Sequence, residues 1–150
     1  MDYLSLARKV IGTEADELRR LADRLDGAAF GRAIALMMDS LSNRGKIVVC
    51  GVGKSGHIGD KIAATLTSTG STAVVLNSLN ALHGDLGLVA DGDVVLAISY
   101  GGETVELLNI LPPLARFEVK LIAITGQPKS TLGLAADVCL DVSVEQEACP

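Results

Sequence analysis

The chain contains little of what nucleic-acid-binding and disulfide-stabilised proteins use. Among its 150 residues there is no tryptophan, and there are only two tyrosines and two phenylalanines, so surfaces on which bases could stack are scarce. The formal net charge is -5 and no basic tract is present, which argues against a nucleic-acid partner. The three cysteines are an odd number without metal-like spacing, and they favour a reduced, cytoplasmic protein over a disulfide framework.

Membrane-spanning segments are missing as well, although 49% of the residues are apolar. The first residues mix charged and apolar positions, which predicts an amphipathic helix rather than a signal peptide or a membrane partner. Apolar residues recur at three- and four-residue steps from Leu4 to Leu25, as in one long helix that covers either its own core or another subunit. A second helix is predicted over 29–43, and its expected buried residues are Phe30, Ile34, Met37, Met38 and Leu41.

From Lys46 onward, short apolar runs alternate with helical segments. The runs predict five strands, at 47–50, 72–76, 94–98, 121–124 and 138–142. Because the runs do not alternate apolar with polar residues, we expect a parallel sheet that is covered by helices on both faces. The predicted helices span 58–67, a short stretch near Asn80, 103–117 with a kink at Pro112-Pro113, and 130–136.

The expected architecture is an α/β fold with three layers, α/β/α, around this five-stranded parallel sheet. Residues 1–45 form two N-terminal helices that pack on the domain or on a neighbouring subunit. Residues 46–150 form the ligand-binding domain.

A glycine-rich turn, Gly51-Val52-Gly53-Lys54-Ser55-Gly56, follows the first predicted strand. Such a turn before a helix directs several backbone N–H groups at one point and favours an anion, most often phosphate. A nucleotide-triphosphate loop would need a glycine at Val48, and a dinucleotide site would need an acid after the next strand, near Asn77. A loop lysine suits a phosphate monoester instead. The alternative is a turn whose glycines serve packing alone.

The third predicted strand ends in a similar turn, Ser99-Tyr100-Gly101-Gly102-Glu103-Thr104. Because ligands gather beyond the carboxyl ends of parallel strands, we expect the hydroxyls of Ser55, Ser99 and Thr104 to surround a phosphate. Glu103 and Thr104 are equally compatible with ordinary helix-start residues. His57 and His83 lack further ligands at metal-like spacing, so neither a metal nor another cofactor is predicted.

Taken together, these segments resemble the sugar isomerase (SIS) domain family, and within it the arabinose 5-phosphate isomerases. The matching segments are 51–59, Ala81-Leu82-His83-Gly84-Asp85-Leu86-Gly87, Ile98-Ser99 with Gly102-Glu103-Thr104, Ile124-Thr125-Gly126, and Glu147-Ala148-Cys149-Pro150. The resemblance implies a flavodoxin-like fold, a phosphosugar ligand and a homotetramer with sites between subunits. It also implies interconversion of D-ribulose 5-phosphate and D-arabinose 5-phosphate, which feeds synthesis of the octulosonate sugar of lipopolysaccharide.

The same resemblance assigns the site residues. It places the phosphate on Gly53, Ser55, Ser99, Gly101, Gly102 and Thr104, and the ionisable groups of the active site at Lys54, His83, Glu103 and Glu147. Isomerisation through an enediol needs a base, a proton donor and a group that opens the sugar ring. We assign Glu147 as the base and His83 to ring opening or proton shuttling. Lys54 stabilises the enediolate, or it binds the phosphate alone.

Three departures from the family pattern leave a second hypothesis open. The family usually has asparagine at the position of Tyr100 and serine at that of Gly101, and often glutamate at that of Asn80. Its members continue past Pro150 with a further helix and a later histidine, so we expect this chain to lack C-terminal elements of the family. The alternative function is a regulatory SIS domain that senses a sugar phosphate without turnover.

Overall fold

Two capped helices open the fold. The computed structural model describes residues 2–148, so Cys149 and Pro150 of the terminal motif lie outside the described residues. Helix α1 spans Tyr3–Arg24 and helix α2 spans Gly27–Ser42. Each begins after an aspartate, Asp2 or Asp26, whose carboxylate accepts hydrogen bonds from two backbone N–H groups of the first turn. Such caps satisfy donors that the helix itself leaves unpaired.

The five predicted strands are confirmed, and each end differs by at most one residue from its predicted position. They are β1 (Ile47–Gly51), β2 (Ala73–Asn77), β3 (Val94–Ile98), β4 (Lys120–Thr125) and β5 (Val138–Asp141). All four neighbouring pairs are parallel, and the strand order is β2-β1-β3-β4-β5, the flavodoxin-like order. The chain reverses its direction of winding between β1 and β3. Their carboxyl ends therefore form the topological switch point at which ligands bind in such sheets.

Five α-helices follow within the described sheet region: α3 (Lys54–Ser68), α4 (Ser78–Ala81), α5 (Val105–Leu108), α6 (Leu111–Leu114) and α7 (Thr131–Ala135). A 3₁₀ helix spans Asp85–Leu88. Two predicted boundaries are wrong. Helix α3 begins at Lys54 rather than at residue 58, because Gly53 adopts φ 58° and turns the chain directly from β1 into the helix. The helix predicted over 103–117 is two short helices, since the first turn of α6 holds both prolines.

Both faces of the sheet are buried, which confirms the three-layer arrangement. On one face Val48, Val95 and Ala123 pack against the helices α5 to α7 through Leu107, Ile110, Leu114 and Leu132. On the other face Ile47, Val49 and Ile122 meet α2 and α3 through Ala29, Ala33 and Ala63. Each fully buried valine, leucine or isoleucine contributes about 1.5–3 kcal/mol relative to an exposed one, so the sheet is a rigid platform for the loops at its carboxyl end.

The prediction that Phe30, Ile34 and Met38 are buried is wrong. These residues are 45%, 43% and 58% exposed, because α2 approaches the sheet through Ala29 and Ala33. Met37 and Leu41 are half-buried and pack against the same core cluster. Leu4, Ile11 and Leu18 of α1 are exposed in the same way. Neither these helices nor any other in residues 2–148 is long and apolar enough to cross a membrane.

Candidate functional site

The turn from β1 into α3 forms one wall of the candidate site. An added Cβ at Gly51 would lie 2.9 Å from the backbone of Ser55, so glycine is needed for this close approach. Gly53 has no side chain to cap α3, and within residues 2–148 no side-chain cap satisfies the first N–H groups of this helix. The N–H groups at the start of a helix carry partial positive charge and bind anions. Lys54 lies in the same first turn with its side chain exposed.

The loop after β3 forms the other wall, and it brings two predicted hydroxyls together. Ser99 is buried, and its Oγ lies 2.8 Å from Oγ1 of Thr104. The backbone N–H of Gly102 donates to the same Ser99 Oγ at 3.1 Å. Gly102 adopts φ 68°, a conformation that glycine enters without strain. The loop therefore presents a compact cluster of donors and acceptors at the end of β3.

Residues in and after β4 and in α7 hold the loop after β3 through hydrogen bonds to its backbone. The carbonyl of Tyr100 accepts hydrogen bonds from Oγ1 of Thr125 at 3.0 Å and from the N–H of Gly126 at 2.9 Å. The carbonyl of Gly102 accepts from the N–H of Leu132 at 3.1 Å. These hydrogen bonds satisfy backbone carbonyls that would be hydrated in a mobile loop. The loop is thus held in one conformation by its neighbours in the sheet.

The two walls face each other across the switch point. Gly51 at the end of β1 pairs with Ile98 at the end of β3, and neighbouring strands lie about 4.8 Å apart. Ser55 and Ser99 therefore follow adjacent strands on the same edge, although no hydrogen bond joins their side chains among the described residues. Two sets of donors that follow adjacent strands at one edge of the sheet suit a tetrahedral oxyanion.

The carboxylate of Glu103 bonds to a different element from the hydroxyls of Ser99 and Thr104. Its side chain is exposed, and its Oε1 accepts a hydrogen bond from the N–H of Thr131, the first residue of α7, at 2.7 Å. This bond lowers the pKa of Glu103 below its ordinary value of 4.5. The carboxylate is therefore ionised at neutral pH, and it ties the loop to α7. The role of Thr131 was not predicted: Ser130, the N-cap residue directly before it, indicates where α7 begins but not that its first N–H meets Glu103.

His83 and Glu147 lie on other elements. His83 is exposed in the turn after α4, where its N–H donates to the carbonyl of Asn80 at 2.8 Å. Glu147 is exposed in the segment after β5, beside a groove of about 490 Å³ along α1. In the part of the chain that the structure describes, neither side chain is hydrogen-bonded or ion-paired to Lys54 or Glu103. The structure thus brings Ser99 and Thr104 into contact, and it leaves the predicted ionisable groups on separate elements.

A smaller cleft of about 190 Å³ lies between the ends of β1 and β2, and His57 lines it. Nδ1 of His57 is 3.8 Å from Oδ2 of Asp60, and both side chains are exposed. Within residues 2–148 no three His, Cys, Asp or Glu side chains are grouped so that they could hold a metal ion.

Residues 40–149 of the chain match the model of the SIS domain family. The arabinose 5-phosphate isomerase KdsD of Pseudomonas aeruginosa is 45% identical over 150 residues, which cover 100% of this chain and 45% of that protein. The arabinose 5-phosphate isomerase GutQ of Escherichia coli K12 is 50% identical over 147 residues, which cover 98% of this chain and 44% of that protein. The chain thus spans less than half the length of these curated relatives.

Solved structures share the fold. The Escherichia coli CFT073 protein c3406, in complex with arabinose 5-phosphate, superposes with a TM-score of 0.91 at 36% identity, covering 98% of this chain and 76% of that one. A putative sugar-phosphate isomerase from Listeria monocytogenes gives a TM-score of 0.93 at 32% identity, with coverage of 100% and 78%.

Proposed function

The chain belongs to the SIS domain family, and from this we propose that the protein interconverts D-arabinose 5-phosphate and D-ribulose 5-phosphate. The observation that carries the proposal is the identity of 45–50%, across 98–100% of this chain, to relatives named as arabinose 5-phosphate isomerases. A structural neighbour with arabinose 5-phosphate bound adds support for a phosphosugar ligand. These relatives favour the isomerase over the sensing domain. The product would then feed octulosonate synthesis for lipopolysaccharide.

We place the phosphate of the sugar between the β1–α3 turn and the β3 loop. The uncapped N–H groups at the start of α3 and the Ser99–Thr104 hydroxyl pair supply donors from two sides. Ser55 and the backbone of Gly53 complete the wall after β1, and the backbone of Gly101 and Gly102 completes the wall after β3. Lys54 adds a positive charge that a phosphate dianion matches well.

The reaction moves one proton between adjacent carbons. From the aldose, a base removes the proton on C2, the C1=C2 bond of the enediol forms, and the carbonyl oxygen O1 takes a proton. Return of a proton to C1 and loss of the O2 proton give the ketose. We assign Glu147 as the base and His83 to ring opening or proton shuttling. The ammonium group of Lys54 stabilises the developing negative charge, and ionised Glu103 holds the loop.

We further propose a homotetramer with sites between subunits. Leu4, Ile11 and Leu18 follow one another at seven-residue steps on α1 and are 59%, 65% and 67% exposed. A stripe with this spacing is typical of helices that pack against other helices, and exposed apolar patches mark protein interfaces. The N-terminal helices, residues 1–45, would thus join the phosphosugar-binding domains, residues 46–150, of neighbouring copies.

We also propose a cytoplasmic location. Among the described residues Cys50 and Cys139 are free thiols, which is typical of proteins in reducing compartments.

Turnover of D-ribulose 5-phosphate tests the proposal. The full-length protein is incubated with this substrate, and the formation of arabinose 5-phosphate is followed by NMR. Lys54→Ala should lower kcat/KM by roughly 10²–10³-fold, as loss of one charge-stabilising group commonly does. Lys61→Ala, which removes an exposed lysine of the same helix, is the matched control and should leave kcat/KM unchanged.

One result would overturn the proposed activity, and a second would overturn the role assigned to Lys54. Saturable binding of arabinose 5-phosphate without any conversion would identify a sensing domain. A loss of activity in Lys54→Ala that only follows the fraction of unfolded protein would make this lysine a structural residue, whereas an exposed side chain in the first turn of α3 should contribute little to the core.

A further inference from the structure

One buried carboxylate joins α1 to the segment that carries Glu147. Of the 22 described residues of α1, Glu17 alone is buried, with 8% of its surface exposed. Its Oε2 accepts a hydrogen bond from the backbone N–H of Glu145 at 2.9 Å, and its Oε1 lies 2.6 Å from Nη1 of Arg20. The same Nη1 of Arg20 donates to Oε2 of Glu145 at 2.8 Å. Three contacts thus close a ring between one turn of α1 and one residue of the segment after β5.

Arg24 and Tyr100 make further contacts that hold this segment, which we call the tail (residues 142–148). Arg24 pairs with Asp141 at 3.3 Å and donates to the carbonyl of Ser143. On the opposite side, the backbone N–H of Val144 donates to the hydroxyl of Tyr100 at 3.2 Å. Tyr100 belongs to the β3 loop, which we propose to hold the phosphate. The tail is therefore attached to α1 on one side and to the phosphate loop on the other.

The burial of Glu17 calls for an explanation. Glutamate is almost never buried unless it is paired, because removing a carboxylate from water is costly. Glu17 does not belong to the apolar core on either face of the sheet. Its two oxygens instead accept one bond from Arg20 and one from the tail backbone. The contact therefore fixes the tail rather than the sheet.

We propose that Glu17 is a positioning residue for the isomerase reaction: it fixes the backbone at Glu145 and so sets the position of Glu147. The proposal depends on the proposed function, in which Glu147 is the base. Two residues of extended chain span about 7 Å at most, so a displacement at Glu145 is passed on to Glu147. A misplacement of about 1 Å in a reacting group can lower the rate about 10²-fold.

The test compares substitutions at Glu17 in the full-length protein, with D-ribulose 5-phosphate as substrate. Glu17→Ala should lower kcat about 10- to 100-fold and change KM less than about 3-fold, because the substitution removes no group from the β1–α3 turn or from the β3 loop. Glu17→Gln keeps the shape and one acceptor oxygen, so it should fold normally and recover part of the lost kcat. Asp16→Ala is the matched control, since it removes an exposed ion pair with Arg19 of the same i,i+3 spacing on the same helix.

Amide hydrogen exchange provides the second readout. Exchange at Glu145 should speed up in Glu17→Ala and remain slow in Asp16→Ala, while the strands keep their protection. Faster exchange at Glu145 with unchanged kcat would overturn the positioning role. A loss of kcat that only follows the fraction of unfolded protein would overturn it as well. A wild-type protein without turnover would instead refute the proposed function, which keeps the two failures distinct.

Discussion

Replacing Gly102 with alanine is expected to destabilise the fold more than any neighbouring glycine substitution in the β3 loop. Gly102 has φ 68°, and a side chain in this left-handed region costs roughly 1–2 kcal/mol. An added Cβ would lie 1.9 Å from Oγ and 2.5 Å from Cβ of Ser130. Overpacking of this kind costs about 1–3 kcal/mol. Ser130 cannot simply rotate away, because its Oγ accepts from the N–H of Gly133 and caps α7, a bond worth about 1 kcal/mol.

Together these effects amount to about 3–6 kcal/mol, a large part of the 5–15 kcal/mol that stabilises a typical domain. Gly101→Ala is the matched control, because an added Cβ there meets no heavy atom within 4 Å among the described residues. Its free energy of unfolding should stay within about 0.5 kcal/mol of wild type. Urea unfolding followed by circular dichroism measures both variants. Equal unfolding midpoints for Gly102→Ala and Gly101→Ala would refute the reasoning.

Two further predictions concern carboxylates. Thr131→Pro removes the N–H that donates to Glu103 but places proline at a tolerated first helical position. The pKa of Glu103 should therefore rise toward 4.5 in this variant. In wild type the hydrogen bond stabilises the fold at pH values above 4.5, and this stabilisation is lost as the pH falls through the lowered pKa. An unchanged carboxyl ¹³C titration of Glu103 would contradict this. Asp93→Ala should lower the free energy of unfolding by about 3–5 kcal/mol, because the 2% exposed carboxylate lies 2.7 Å from Nζ of Lys46. Asp16→Ala should cost under about 1 kcal/mol, and equal urea midpoints for these two variants would contradict the account.

The strands could be predicted from the sequence because each is a continuous apolar run bounded by turn residues. The same runs placed Ser99 and Thr104 at the carboxyl edge of the sheet, and the structure puts their hydroxyls 2.8 Å apart. The start of α3 was not predictable in this way, since residues 54–57 carry no apolar periodicity. The conformation of Gly53, rather than a helix-forming pattern, sets that boundary.

Contacts between distant parts of the chain could not be predicted. Glu103 accepts from Thr131, and the N–H of Glu145 donates to Glu17, 128 residues away. Both carboxylates lie on elements whose own patterns predict ordinary surface residues. The exposure of Phe30 was missed for a related reason: a helical pattern shows that one face is apolar, but not whether that face meets the chain's own core.

The central claim is that a sugar phosphate binds between the turn after β1 and the loop after β3. Titration of the ¹⁵N-labelled protein with D-arabinose 5-phosphate, followed by amide NMR shifts, tests it directly. The account predicts saturable shifts that are largest at Gly53, Ser55, Ser99 and Gly102. Saturable shifts confined to the α1 groove beside Glu147, with none at these four residues, would contradict it.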